Sequence, residues 1–179
     1  MRIDDWLQQA RTAGAARLDA QLLLAHHLGR PRTWLLAHGD ETLAADLAAA
    51  LDRDLMLRLA GRPLAYLVGE REFHGLTLKV DDRVLVPRPE TEGLVDWAVQ
   101  LAAALPRARV ADLGTGSGAI ALALAHRLPG IEVTGVDRSA DALAVARDNA
   151  ARLGLAVRWR AGHWWAPLAG ERFDLVVAN

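Results

Sequence analysis

The spacing of apolar residues along the chain changes twice, and each change predicts a different kind of structure. Through residues 1–71 apolar positions recur at helical intervals, and glycine and proline divide the region into short helices. The clearest stripe repeats every fourth residue, at Leu43, Leu47, Leu51, Leu55 and Leu59. The pattern predicts a small N-terminal helical bundle. Amphipathic helices alone do not distinguish a folding scaffold from a substrate-docking domain.

Alternating apolar and polar residues mark the next segment, residues 72–88. Residues 73–80 alternate like a half-buried strand, Asp81-Asp82 is a turn signal, and residues 84–86 form a second apolar run. We therefore expect a β-hairpin that links two domains.

Apolar runs and helical patterns alternate through the rest of the chain, residues 89–179. This alternation predicts parallel strands joined by right-handed crossover helices, and thus an α/β domain with a mainly parallel sheet. The predicted strands are residues 110–113, 131–136, 156–160 and 173–178, and the predicted helices between them are residues 118–128 and 139–153.

Composition narrows the class of protein. The 179 residues are 52% hydrophobic and 24% charged, with a net charge of −1 and no cysteine. A globular chain of this charge gives no electrostatic case for direct nucleic-acid binding. The sequence shows no secretory signal and no apolar stretch near the ~20 residues that span a bilayer. We expect a cytoplasmic protein that makes no use of a membrane.

A glycine-rich turn follows the first strand of the α/β region. Glycine occupies every second position after Leu113, at Gly114, Gly116 and Gly118. Glycine permits positive φ and close approach of a ligand, and the free N–H groups of the following helix face that ligand. The next strand ends in Asp137, and an acid there can accept hydrogen bonds from both hydroxyls of a ribose. The combination predicts a nucleoside-cofactor site.

The charge of Asp112 favours one cofactor over another. The dinucleotide fingerprint fits only loosely, with Gly116 first and Ala121 in the sixth position. A carboxylate just before the turn repels a pyrophosphate but suits the sulfonium and ammonium of S-adenosylmethionine. We favour S-adenosylmethionine. NAD, and a turn that binds no ligand, remain alternatives.

Three segments together match one family, and the first of them, with the hairpin, is far more selective than the glycine turn, which many methyltransferases share. They are Pro87-Arg88-Pro89-Glu90-Thr91-Glu92, the turn at residues 112–118 and the stretch Phe-Asp-Leu-Val-Val-Ala-Asn at residues 173–179. With these segments the whole chain resembles the release-factor glutamine methyltransferases, the PrmC/HemK family. The resemblance implies a helical substrate-docking domain at 1–71, a hairpin linker at 72–88 and a Rossmann-like methyltransferase domain at 89–179.

The resemblance also implies a reaction and a set of site residues. Members methylate the glutamine side-chain nitrogen in the Gly-Gly-Gln motif of class I peptide chain release factors, with S-adenosyl-L-methionine as donor and S-adenosyl-L-homocysteine as product. Asn179 matches the first residue of the family's Asn-Pro-Pro-Tyr motif, so it is the predicted catalytic and substrate-binding residue, its side-chain oxygen accepting from the substrate amide. The predicted cofactor-binding residues are Gly114, Thr115, Gly116, Ser117, Gly118, Asp137, Trp164 and Asn179, with Trp164 beside the adenine.

The sequence differs from the family pattern in two places, and four alternative functions remain. His163 stands where the family often has an acid. The sequence stops at Asn179, so we expect an incomplete domain, an Asn179 side chain that nothing holds, and impaired transfer. A ribosomal-protein glutamine methyltransferase, an adenine-N6 DNA methyltransferase, an NAD-dependent oxidoreductase and a non-enzymatic release-factor-docking module remain open. The histidines lack ligand-like spacing with acids, so no metal site is predicted.

Overall fold

The structure, a computed structural model, describes residues 1–105 and 107–179. These residues divide into two units, Met1–Gly69 and Glu70–Asn179. Helices make up the first unit, as the apolar periodicity predicts. They are α1 (Ile3–Thr12), α2 (Arg17–Leu28), a 3-10 turn (Arg32–Leu36), α3 (Ala45–Leu59) and α4 (Leu64–Val68).

Trp6 lies at the centre of the first unit. It is fully buried, and its indole N–H donates to Asp52 Oδ1 at 2.8 Å. Leu51 and Leu55 of the leucine stripe are buried against the same core, whereas Leu59, at the end of α3, is partly exposed. The predicted helical bundle is confirmed.

A β-hairpin opens the second unit, but its strands differ from those predicted. Strand β1 (Glu70–Phe73) pairs antiparallel with β2 (Leu76–Lys79), and Phe73 lies opposite Leu76. The predicted turn at Asp81-Asp82 is present, because the Val84 N–H donates to the Asp81 carbonyl at 3.1 Å, but it does not join two strands. The prediction of a second strand at 84–86 is wrong, because those residues form no strand. The residues that the helical pattern included at its end, from Glu70, form the first strand instead.

Contacts from a helix that is distant in sequence explain why the hairpin turns at His74-Gly75. His74 and Gly75 form it with φ of 52° and 80°, and a left-handed φ is uncommon for histidine. Helix α5 (Glu92–Ala103) holds His74 twice. The His74 backbone N–H donates to Glu92 Oε1 at 3.2 Å, and His74 Nε2 lies 2.9 Å from Asp96 Oδ1. These partners are about twenty residues away, beyond the range of a local turn signal.

The α/β region forms a four-stranded parallel sheet. Its strands are β3 (Arg109–Leu113), β4 (Glu132–Asp137), β5 (Arg158–Ala161) and β6 (Leu175–Ala178), in the order β5-β4-β3-β6. Helices α6 (Ala119–Arg127) and α7 (Ala140–Leu153) connect β3 to β4 and β4 to β5. All pairs are parallel, so the predicted α/β class is confirmed.

Strand β3 is a central, buried strand of this sheet. Val110 and Ala111 are fully buried, and the first two turns of α6 are buried on every side. Because parallel strands end at the same edge, the residues that follow β3, β4 and β6 are brought together there. Among the described residues, no helix is long and apolar enough to cross a membrane.

Candidate active site

A cleft of about 620 Å³ opens at the carboxyl ends of β3 and β6. The glycine turn forms one wall, the segment that precedes α5 forms another, and Asn179 lies between them. The residues that line the cleft are Leu85, Val86, Pro87, Arg88, Glu90, Thr91, Leu94, Gly114, Thr115, Gly116, Ser117, Ala119, Ile120 and Asn179.

The three glycines of the turn have different surroundings. Gly114 and Gly116 have φ of 77° and 55° and line the cleft. A Cβ on Gly114 would meet no atom within 4 Å, so its backbone is open to a ligand. Gly118 has φ of 84°, and a Cβ there would lie 3.0 Å from Trp159, so its glycine is required by packing. Cofactor contact by Gly118 stays a prediction.

The carboxylate of Asp137 spans the turn. Its Oδ2 accepts from the Gly116 N–H and its Oδ1 from the Ser139 N–H, both at 2.9 Å. Each carboxylate oxygen can accept a second hydrogen bond, so capacity for a hydroxyl remains. Ser139 in turn caps α7 by accepting from the Ala142 N–H at 3.1 Å, as the helix pattern predicts. The ribose-binding role of Asp137 stays a prediction.

Asp112 supports the turn from beneath. It is buried, and its Oδ2 accepts from the Thr115 hydroxyl at 2.6 Å and the Ala121 N–H at 3.2 Å. Its Oδ1 has no partner among the described residues. Burial raises the pKa of Asp112 to about 6, against the lowering effect of its hydrogen bonds. Asp112 thus braces the turn, a role that its charge toward a ligand did not indicate.

We expect Asp112 to make stability depend on pH. Its folded pKa of about 6 exceeds the ordinary value of 3.8, so between these pH values the folded state keeps a proton that the unfolded state has lost. The Asp112 contribution to the free energy of unfolding therefore decreases as pH rises through this window. Urea unfolding of wild type and Asp112→Asn at several pH values measures the difference. An identical pH dependence in both proteins would refute this assignment.

Asn179 is held in place by a residue from another part of the cleft. Strand β6 ends with Ala178 opposite Leu113, which puts Asn179 beside the glycine turn. Its Nδ2 donates to Thr91 Oγ1 at 2.8 Å. The expectation that nothing holds this side chain is therefore wrong. The partner lies 88 residues earlier, where a local pattern could not reveal it.

Asn149 is a residue that the sequence analysis missed. It is fully buried on α7, and its Oδ1 accepts from the Lys79 N–H at 2.7 Å. Its Nδ2 donates to the carbonyls of Lys79 and Ser117, both at 3.0 Å. One side chain thus joins the end of β2 to the glycine turn. The available signal was a polar residue on the apolar face of α7.

Trp164 lies outside the cleft lining. It is 57% exposed and has φ of 52°, in the loop after β5. His163 beside it is exposed, and Trp165 packs edge-on against Phe173 with ring centroids 5.7 Å apart. Adenine contact by Trp164 stays a prediction. Within the described part of the chain, no cluster of three His, Asp or Glu side chains could hold a metal ion.

Two family models match the chain. The PrmC N-terminal domain matches residues 4–69, and the methyltransferase small domain matches residues 94–179. The second match contains the whole parallel sheet, and the first lies entirely within the helical unit.

Curated relatives share one name, release factor glutamine methyltransferase. The protein from Bordetella pertussis is 49% identical over 93% of this chain and 62% of its own length. The Vibrio cholerae protein is 47% identical over 97% of this chain and 60% of its own. The Haemophilus influenzae protein is 41% identical over all of this chain and 68% of its own. The chain thus spans about six tenths of the length of the first two relatives.

A solved structure supports the fold. The S-adenosylmethionine-dependent methyltransferase from Agrobacterium tumefaciens superposes with a TM-score of 0.52 at 21% identity, over 61% of this chain and 38% of that one. This likeness supports the fold, and the sequence similarity supports the family. The chain belongs to the family of release factor glutamine methyltransferases.

Proposed function

We propose that this protein transfers a methyl group from S-adenosylmethionine to the glutamine side-chain nitrogen in the Gly-Gly-Gln motif of class I release factors. The observation that carries the proposal is that Asn179 and the glycine turn line the same cleft. The name that the relatives share supports the release factor as substrate.

The residues at the sheet edge fit the proposed methyl donor. The open backbone at Gly114 and Gly116 accommodates a ligand at close range. Asp137 keeps acceptor capacity for two ribose hydroxyls while its present bonds hold the turn. Trp164 offers an exposed ring for an adenine. When bound, the donor supplies a methyl group on a positively charged sulfur.

Asn179 addresses the main difficulty of the chemistry, the poor nucleophilicity of an amide nitrogen. The lone pair of that nitrogen is delocalised into its carbonyl, so correct placement of the nitrogen matters more than a strong base. Because Asn179 Nδ2 is engaged by Thr91, its Oδ1 is the free acceptor for the substrate N–H. A neutral acceptor fixed in this way orients the glutamine and stabilises its developing positive charge.

Transfer of labelled methyl groups tests the proposal. We expect the purified protein to label a class I release factor, and to leave unlabelled a factor whose motif glutamine is replaced by glutamate. A DNA duplex and ribosomal protein, the substrates of the two alternative methyltransferase classes, serve as controls. Equal labelling of both release factors, or preferential labelling of DNA, would disprove the assignment.

Cofactor selectivity is a separate prediction. We expect the protein to bind S-adenosylmethionine or S-adenosylhomocysteine in preference to NAD, because Asp137 offers acceptors to ribose and the turn lacks the full dinucleotide fingerprint. Titration calorimetry with each ligand measures the affinities. Tighter binding of NAD would contradict both the cofactor and the function.

A further inference from the structure

The Asn179 carboxamide is tied to a buried hydroxyl at the wall of the cleft. Its Nδ2 donates to Thr91 Oγ1 at 2.8 Å, and Thr91 is only 9% exposed. Both residues line the cleft. An asparagine side chain has one acceptor oxygen and one donor nitrogen, so a bond at the nitrogen leaves the oxygen for another partner.

We propose that Thr91 is a positioning residue that orients the Asn179 carboxamide, so that Oδ1 rather than Nδ2 receives the substrate glutamine. The inference deepens the proposed function and rests on it. A carboxamide turned by half a rotation would present a donor to the substrate amide N–H groups, and two donors repel. In the structure the Thr91 hydroxyl accepts from Nδ2, and this hydrogen bond holds the orientation that leaves Oδ1 for the substrate.

Independent elements fix the two ends of this hydrogen bond. The Asn179 backbone follows β6, which is paired with β3 through Leu113 and Ala178. Thr91 ends the 3-10 turn Pro89–Thr91, where its N–H donates to the Arg88 carbonyl at 3.1 Å. Both partners are thus anchored through their backbones, and the bond between their side chains can set a single rotamer.

The hairpin braces the Thr91 end. Glu92, the next residue, accepts from the His74 N–H at 3.2 Å, and Asp96 lies 2.9 Å from His74 Nε2. The His74 side chain is 8% exposed, so it is closely packed at this turn. The chain of contacts from the hairpin through α5 to Thr91 gives the hydroxyl a fixed position relative to the glycine turn.

Two substitutions at Thr91 separate the hydroxyl from the shape of the side chain. Thr91→Val keeps the shape and removes the hydrogen bond, whereas Thr91→Ser keeps the hydroxyl. We expect Thr91→Val to lower kcat for release-factor methylation about tenfold or more, because small errors in placement have large effects on rate. Cofactor affinity and melting temperature should change little. Thr91→Ser should stay within about threefold of wild type.

Full kcat in Thr91→Val, or an equal loss in Thr91→Ser, would overturn the inference. A nuclear magnetic resonance measurement keeps it testable if the wild type methylates no release factor, the result that would refute the proposed function itself. One side-chain amide proton of Asn179 should shift upfield in Thr91→Val and remain near its wild-type position in Thr91→Ser. Unchanged Asn179 resonances in Thr91→Val would also overturn the inference.

Discussion

Replacement of Asn149 by alanine should lower the free energy of unfolding by about 2–4 kcal/mol, because each unpaired buried polar group costs about 1–3 kcal/mol. The variant leaves the Lys79 N–H and the carbonyls of Lys79 and Ser117 without their partner. Water that enters the vacated space recovers part of this cost. Denaturant unfolding measures the change directly.

Two control variants show whether the buried hydrogen bonds are responsible. Asp148→Ala, on the same helix, removes a half-exposed ion pair with Lys79 Nζ, and such pairs contribute roughly 0–1 kcal/mol. Asn149→Asp keeps the size and the acceptor for the Lys79 N–H but cannot donate to the two carbonyls when ionised. It should be nearly as unstable as Asn149→Ala. Equal effects of Asp148→Ala and Asn149→Ala would contradict this account.

Replacement of Asp137 by alanine should weaken S-adenosylhomocysteine binding by about 1.5–3 kcal/mol, the scale of hydrogen bonds to a charged group. The change removes the proposed ribose acceptors. It also removes the bonds that hold the N–H groups of Gly116 and Ser139. Titration calorimetry of wild type and variant gives the difference in affinity.

Asp141→Ala is the matched control for Asp137→Ala. It removes an exposed acid of equal charge from the first turn of α7, so it should leave the affinity nearly unchanged. A loss below about 0.3 kcal/mol in Asp137→Ala, well under the scale of one hydrogen bond, would show that Asp137 does not bind the ribose. A loss of equal size in both variants would point to net charge instead.

Local apolar patterns were sufficient to predict the α/β core. A continuous apolar run is what a strand buried on both faces requires, and the predicted strand at 110–113 became Arg109–Leu113. The signals for both ends of α7 were equally local. Ser139 is its N-cap, and Gly154 has the left-handed conformation at its C-terminal end. Elements of this kind are specified by residues within a few positions of one another.

Long-range hydrogen bonds were beyond the reach of such patterns. The turn at His74 depends on Glu92 and Asp96, and the orientation of Asn179 depends on Thr91. Asn149 was missed because its three partners belong to segments that only the folded chain brings together. The sequence thus predicted which groups carry the chemistry, whereas the structure showed the hydrogen bonds that hold Asn179 and the glycine turn.

Acid hydrolysis of the labelled product shows whether the methyl group is on a glutamine amide nitrogen, as we propose. A release factor is labelled with a donor that carries an isotopic methyl group, isolated, and hydrolysed in strong acid. An N-methyl amide then yields labelled methylamine and glutamate, whereas a methyl ester yields labelled methanol. We predict that labelled methylamine distils once the hydrolysate is made alkaline, at one equivalent per release factor. Labelled methanol, or label retained on another residue, would contradict the account.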